Sequence, residues 1–417
     1  MSITRITSGK SKGQYRVRIQ PIDPITKKVI KVPSKKVTTR AEAVKVERKL
    51  WAEYQDNKIV QAEQSEKKFA TEFANYVKGE FESGRWSQTT YSDWLYTSKL
   101  VSQFFGKAKL KDIDTAMIRK FARQYIATHN ATVGRHTTVD RRLQHLRTYF
   151  SVLVEDGLAR NPVPKNPLRA FFRYDEFSMP EAKYTFSDGE VSAIKAELQN
   201  ELLHTNTRFW TSKLAILVGI ETGMRPQEIQ ALRWDELIID GSYHVFRIDD
   251  AWNDKTHQLN HHLKGRPRGY SRKTVSISAN TVELLKTFHK KQQDYLAGKG
   301  MLNSNNFIML NLTNQQLTKL CYPINQRSMN DLLKKIAKKV RVNNGDKQVT
   351  MYTCRHTVAT KLANTPGMKY PWAANRMGHS VDMFLRTYVH VDQDKDEEML
   401  NLINSNTQPN TQKLKTL

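Results

Sequence analysis

Tyr388 closes the segment Gly378-His379-Ser380-Val381-Asp382-Met383-Phe384-Leu385-Arg386-Thr387-Tyr388, with Arg355-His356 before it and Thr222-Gly223-Met224-Arg225-Pro226-Gln227-Glu228 far upstream. A phenolate can attack a phosphodiester and keep the bond energy as a phosphotyrosyl ester. That attack gathers negative charge on the non-bridging oxygens. Arginine suits it, because its planar fork donates paired hydrogen bonds and stays charged. The leaving oxygen needs a proton from a general acid. If arginines supply the charge, no metal is required. The chain offers no metal-ligand spacing, so neither a metal nor a cofactor is expected.

Each piece alone also has a purely structural explanation. Val381, Phe384, Leu385 and Tyr388 fall at i, i+3/i+4 and i+7, the spacing of a helix face packed on a core. Arg225 and Glu228 are three apart, which on a helix surface makes an ion pair of about 0.3 kcal/mol. His356 reads as a packed or hydrogen-bonded histidine rather than an acid. A helix is expected to start at Arg355, its N-terminal dipole facing a phosphate. Ser380 is expected to cap the helix that carries Tyr388.

Composition narrows the partner. The chain has 417 residues, enough for two to three domains, and carries 67 Lys and Arg against 41 Asp and Glu, a net charge of +26. Such an excess favours a polyanion, whose neutralised phosphates release counterions. No apolar run approaches the ~20 residues of a spanning helix, and no signal-peptide core opens the chain. Two cysteines, Cys321 and Cys354, support neither a disulfide framework nor a zinc cluster. A soluble, intracellular protein is expected.

The elements that must position these residues divide into segments. Residues 1–60 hold 15 Lys and Arg against 5 Asp and Glu. Tyr15–Ile19, Lys28–Val32 and Lys35–Thr38 alternate like strands, with turn chemistry around Pro21–Pro24. Thr39-Arg40-Ala41-Glu42 resembles a capping box opening a helix to about Gln55. Residues 58–66 read as a polar linker. From Phe69 to Gly157 the period is helical, with helices expected at Thr90–Phe105, Thr115–Thr128 and Thr137–Leu153. The last would set Arg141, Arg142, His145 and Arg147 on one side and Leu143, Leu146, Phe150 and Leu153 on the other. Pro162, Pro164 and Pro167 mark a boundary. A larger segment follows, with helices opening at Ser187 and spanning Thr211–Thr222. Strands are expected at Tyr243–Ile248 and Lys273–Ile277, joined by a long basic connection. Residues 404–417 form a polar tail, expected to be disordered unless docked on a partner.

Four pieces together, Gly223-Met224-Arg225 with Glu228, Cys354-Arg355-His356-Thr357, Met377-Gly378-His379-Ser380, and Tyr388 nine residues after His379, resemble the tyrosine recombinase, or phage integrase, family in order and spacing. The motifs cover about residues 180–395; for residues 1–175 the likeness rests on layout. The resemblance implies a multidomain fold, mainly α with small β-sheets. A β-sheet-plus-helix arm-type DNA-binding domain would span 1–60 and a helical, SAM-like core-binding domain 67–165. An α+β catalytic domain would span 180–403 before the flexible tail. Arg225 and Arg355 would clamp the scissile phosphate, Tyr388 would attack it to leave a 3′-phosphotyrosyl bond, His379 would hydrogen-bond the phosphate, and Glu228 would support the first arginine.

Two positions depart from or blur the family pattern. The family's acid is a lysine in a β-hairpin. Lys264 is the choice, because Arg272-Lys273-Thr274-Val275 matches the stretch after that lysine; Lys273 is the alternative. Tyr352 stands where the family often has histidine. Tyrosine titrates near pH 10 and is a poor base at neutral pH, so the acceptor of the Tyr388 proton stays open. For DNA contact the candidates are Arg16, Arg18, Lys35, Lys36, Arg141, Arg142, Arg147, Arg266 and Arg268.

The resemblance implies a site-specific recombinase that integrates and excises a mobile element or prophage through a Holliday junction. Its partners would be double-stranded attachment-site DNA, a homotetramer, a host DNA-bending protein and an excisionase, with no membrane. It would work in the bacterial cytoplasm at the nucleoid. The alternatives are a Xer-like resolvase of the same chemistry and a DNA-binding regulator without catalysis.

Overall fold

The computed structural model describes residues 2–21, 29, 32, 34–55, 66–156, 160–178, 183–241, 243–345 and 347–389. The turn at 22–24, most of the expected strand at 28–32, the linker apart from Glu66, and the tail at 404–417 lie outside the described residues. The chain divides into two compact units, Met1–Glu181 and Ala182–Leu417. The architecture is mainly α with small sheets, as the sequence implies.

In the first unit, β1 (Ile3–Arg5), β2 (Tyr15–Val17) and β3 (Lys35–Val37) form an antiparallel sheet in the order β1-β2-β3. Helix α1 (Arg40–Gln55) packs on it around Val17, Ile19, Val32, Ala43 and Leu50. The capping box is present: the Glu42 amide donates to Thr39 Oγ1 at 3.2 Å, and the Thr39 amide to the Glu42 carboxylate at 3.4 Å. Strand alternation buries Val17 and leaves Arg16 and Arg18 exposed, with Arg16 opposite Lys36 in the register. Lys35 and Lys36 are exposed too.

Helices α2 (Phe69–Glu82), α3 (Gln88–Phe105), α4 (Thr115–His129), α5 (Thr138–Glu155) and the short α6 (Pro167–Phe171) share an aromatic core. Phe69 sits 4.9 Å from Phe105 and 5.1 Å from Phe150, centroid to centroid. Ser87 and Asp114 cap α3 and α4 by accepting the Thr90 and Met117 amides. The expected basic face of α5 is corrected. Only Arg141 is exposed; Arg142 is buried, ion-paired to Asp93 and bonded to Thr97. His145 is buried on the Thr97 hydroxyl at 2.7 Å and stacked on Trp94. Arg147 is half-buried, its guanidinium donating to the Val163 carbonyl at 2.8 Å. Helical spacing gave the side of the helix but not the depth of the groove that α3 makes around it.

The second unit is built around α8 (Trp210–Thr222), whose middle, Leu214–Ile220, is apolar on every side and which is buried almost throughout. Packed on α8 are α7 (Asp188–His204), the short α9 (Pro226–Ala231), α10 (Ala279–Ala297), α12 (Gln326–Lys339) and α13 (Met351–Ala363). The short α11 (Gln315–Lys319) precedes α12. Strands β4 (Leu237–Asp240), β5 (Tyr243–Ile248) and β8 (Arg272–Lys273) form one antiparallel sheet; β6 (Trp252–Asn253) and β7 (Gln258–Leu259) form a hairpin. The strand expected over Lys273–Ile277 pairs at Arg272 and Lys273, then only through a bridge at Ile277. Helices α14 (Tyr370–Met377) and α15 (Val381–Tyr388) pack on α13 around Ala359, Ala374 and Phe384.

The helix expected to begin at Arg355 begins four residues earlier, at Met351. Its first amide donates to Asn330 Oδ1 of α12 at 2.9 Å. The start is thus held by a partner distant in sequence, and Arg355 lies in the second turn, away from the helix end. Gly223 ends α8 with φ +64°, and a Cβ there would lie 2.9 Å from Val358 Cβ and 2.7 Å from Met377 Cε. Gly223→Ala should therefore lower stability by about 2 kcal/mol or more, through both backbone strain and overpacking. Urea denaturation checks this, and a midpoint equal to wild type would contradict it.

Candidate active site

The residues that the sequence singles out for chemistry converge where α9, α13, α14, α15 and β8 meet. Arg225 is the N-cap of α9, its φ of −69° and ψ of 145° turning the chain out of Gly223 into Pro226. Its amide and its Nη1 each donate to the Glu228 carboxylate at 2.9 Å. This is not the solvated i,i+3 pair that spacing alone suggests, because Glu228 is 2% exposed. The second Glu228 oxygen also accepts from Arg272 Nη2 at 2.6 Å. Arg272 is buried, and its Nε and Nη1 have no hydrogen-bond partner among the described residues.

Arg355 enters from α13. Its Nη1 donates to the Gly223 carbonyl at 2.9 Å, and its Nη2 to the Met377 carbonyl and to His379 Nε2. Arg225 Nη2 donates to the next carbonyl, that of Gly378, at 3.0 Å. Both guanidiniums are thus held on carbonyls at the C-terminus of α14, groups that the helix leaves unpaired and where its dipole favours cations. Gly378 makes this possible with φ +65°; a Cβ there would meet Arg272 Nε at 2.5 Å.

Three arginines therefore surround one carboxylate. Burial pushes the Glu228 carboxyl up, but Arg272, Arg225 and Arg355 outweigh it and hold it below its ordinary range. Burial and then Arg225 bring the Arg355 guanidinium down to about 10. Burial, followed by Arg355, Arg225 and Arg272, brings the His379 imidazole down to about 2. His379 is therefore neutral. With Nε2 accepting from Arg355, its proton sits on Nδ1, which is buried without a partner among the described residues.

Ser380 caps α15, accepting the Met383 amide at 3.2 Å as expected. Tyr388, at the far end of α15, is buried, its ring lying against His379 with centroids 5.5 Å apart and planes at 15°. Its hydroxyl bonds His356 Nδ1 at 3.0 Å. Burial raises the phenol above its usual range, against the pull of Arg355 and Arg225.

Neither the Tyr352 nor the Lys264 side chain bonds to this cluster among the described residues. Tyr352 is 37% exposed, and its hydroxyl makes no hydrogen bond among the described residues. Lys264 is exposed on the loop before β8. Arg266, two residues on, donates to the His379 carbonyl at 3.3 Å and lies over the Tyr270 ring; Arg268 is exposed. Lys273 lines a cleft of about 490 Å³ with Arg247, Ser271, Arg272, Trp372, Asn375 and Arg376. Sequence reasoning missed Arg272 and the Tyr388 contact of His356; the burial of Arg272 on β8 and the packing of α15 against α13 come only from the fold.

Removing the shared carboxylate should be costly, since the arginines it compensates would remain. Glu228→Gln is expected to lose about 3–5 kcal/mol. A carboxyl held low stabilises fully above its unfolded pKa and loses that contribution as pH falls through its folded one. The deficit of the variant should therefore be constant near neutrality and shrink only below the ordinary carboxylate range. Chemical denaturation at several pH values tests both; a loss under about 1 kcal/mol at pH 7 would rule out the buried-pair account.

Comparison with known proteins places this arrangement. A fragment of the Tn1549 transposon integrase, solved with transposon right end DNA, superposes with a TM-score of 0.59 at 17% identity, over 79% of this chain and 98% of that one. The XerH site-specific recombinase, solved on a palindromic difH substrate, gives 0.57 at 16% identity, over 80% of this chain and 85% of that one. At such identities the likeness is one of fold. A search of curated protein sequences finds no match. Residues 188–395, which contain all the site residues described above, match the phage integrase family. Over that span the chain belongs to the tyrosine recombinases, enzymes that break and rejoin DNA.

Proposed function

We propose that this protein is an integrase that cleaves and rejoins DNA at specific sites through a 3′-phosphotyrosyl bond on Tyr388, inserting and excising a mobile element or prophage. The observation that carries this reading is the charge imbalance beside Tyr388: Arg225, Arg272 and Arg355 around the single carboxylate of Glu228. A buried excess of positive charge is costly unless an anion completes it. A phosphodiester fits, because its two non-bridging oxygens match guanidinium forks.

Arg225 and Arg355 bind the scissile phosphate in this reading, and the buried Nδ1–H of His379 adds a neutral donor. Glu228 holds Arg225 in place. Lys264 protonates the leaving 5′-oxygen, its loop bound to the site through Arg266; Lys273 is the alternative. Tyr352, exposed one turn before His356, is a donor to phosphate rather than a base. Residues 1–60 act as the arm-type module, with Arg16, Arg18, Lys35 and Lys36 on DNA. Residues 67–165 act as the core-binding domain, using Arg141 but not the internally paired Arg142. Residues 180–403 carry catalysis. Four copies act on two duplexes, with a DNA-bending protein and an excisionase setting direction.

A resolvase of the XerH kind would use the same chemistry. The basic sheet-and-helix module at 3–55 favours the integrase reading, since two linked DNA contacts raise avidity. A catalytically inactive regulator is disfavoured by the retained set Arg225, Arg355, His379 and Tyr388.

A nicked suicide duplex tests the reaction. Wild-type protein should become covalently linked to DNA, and Tyr388→Phe should not. Arg355→Ala should form the adduct about 10²–10³-fold more slowly, the usual loss when one transition-state donor is removed. An adduct that persists in Tyr388→Phe would sink the assignment of the nucleophile.

A further inference from the structure

The proton of Tyr388 needs an acceptor, and the position where the family often has histidine is here the exposed Tyr352. Tyr352 and His356 are four apart on α13, so they share one helix face at successive turns. The turn nearer the nucleophile holds the imidazole. His356 Nδ1 lies 3.0 Å from Tyr388 Oη, with ring centroids 5.7 Å apart. The Tyr352 hydroxyl makes no hydrogen bond among the described residues.

We propose that His356 accepts the phenol proton of Tyr388 as it attacks, and returns it when the DNA strand is rejoined. This rests on the recombinase reading above. In the forward step the Tyr388 O–H bond breaks and its oxygen bonds to phosphorus. His356 Nδ1 takes the proton and becomes imidazolium. The bond from phosphorus to the 5′-oxygen breaks, and that oxygen takes its proton from the general acid. Rejoining runs the same transfers backwards, with His356 the acid that frees the tyrosine.

The surroundings keep the imidazole neutral. The groups facing His356 are Lys183, Arg355, Tyr388 and His379. Burial, then Lys183 and Arg355, keep its imidazole down at about 4, so its lone pair is free at neutral pH. A phosphodiester arriving on the arginines brings negative charge, which offsets the repulsion that Arg355 exerts on the imidazolium. Tyr388 is itself buried, so its ionisation requires a base at contact distance rather than bulk water.

Single-turnover adduct formation on the nicked duplex, at saturating DNA, tests this with the full chain. His356→Gln should slow the step about 10²–10⁴-fold with DNA affinity unchanged. Added imidazole should partly restore His356→Ala, which a merely structural role would not allow. A substrate with sulfur at the 5′-bridging position, whose leaving group needs no proton, should relieve Lys264→Ala but leave the His356→Gln defect in place. The proposal is overturned if His356→Gln reacts at the wild-type rate, if its defect lies wholly in DNA affinity, or if the sulfur substrate relieves it. It is also overturned if Tyr352→Phe is as slow with His356 intact. Absence of any Tyr388 adduct in wild-type protein is a different result, and overturns the recombinase reading itself.

Discussion

One buried carboxylate organises this site. Glu228 accepts from Arg225 and from Arg272 while almost fully shielded from water. Its pairings are strong because the surroundings are dry, and for the same reason neither partner can be lost cheaply. Arg355 stands in the same field without a carboxylate of its own, held by backbone carbonyls and His379. The arrangement fixes three guanidiniums in place and leaves them under-neutralised. Rigidity and unsatisfied charge come from the same contact, as preorganised electrostatic catalysis requires.

The backbone completes what Glu228 begins. Carbonyls 377 and 378 end α14 and receive Arg355 and Arg225, respectively. His379 and Ser380 follow at once, one an imidazole against Arg355 and the other the cap of the helix that bears Tyr388. Within four residues the chain thus holds the cations, supplies a neutral donor and starts the helix that bears Tyr388. Gly378 is the hinge of this arrangement, because only a residue without a side chain fits both its φ and the guanidinium of Arg272.

Much of the site was legible in the sequence, because its signals are local. Gly-x-Arg before Pro226, the Ser380 cap and the i+7 spacing to Tyr388 each depend on a few neighbouring residues. What escaped is tertiary. Arg142 and Arg141 are adjacent on α5, yet one is sealed against Asp93 and Thr97 and the other is exposed, a difference set by α3. The start of α13 depends on Asn330, over twenty positions away in sequence. Arg272 and His356 looked like neighbours of important residues; only the packing of β8 and α15 gives them contacts with Glu228 and Tyr388. Spacing predicts which face a residue takes, while depth and partner belong to the assembled fold.

The loop that carries Lys264 has a consequence for how an exposed side chain can be confined without a fixed seat. Leu263, just before it, is buried in the core, and Arg272, eight positions later, is locked on Glu228. Arg266 ties the middle of the span to the His379 carbonyl. A segment closed at both ends samples a small volume, which raises the effective concentration of anything attached to it into about the millimolar range or above. Lys264 is thereby confined by the chain on either side of it, and in the proposed reaction its encounter with the leaving group would be an intramolecular event.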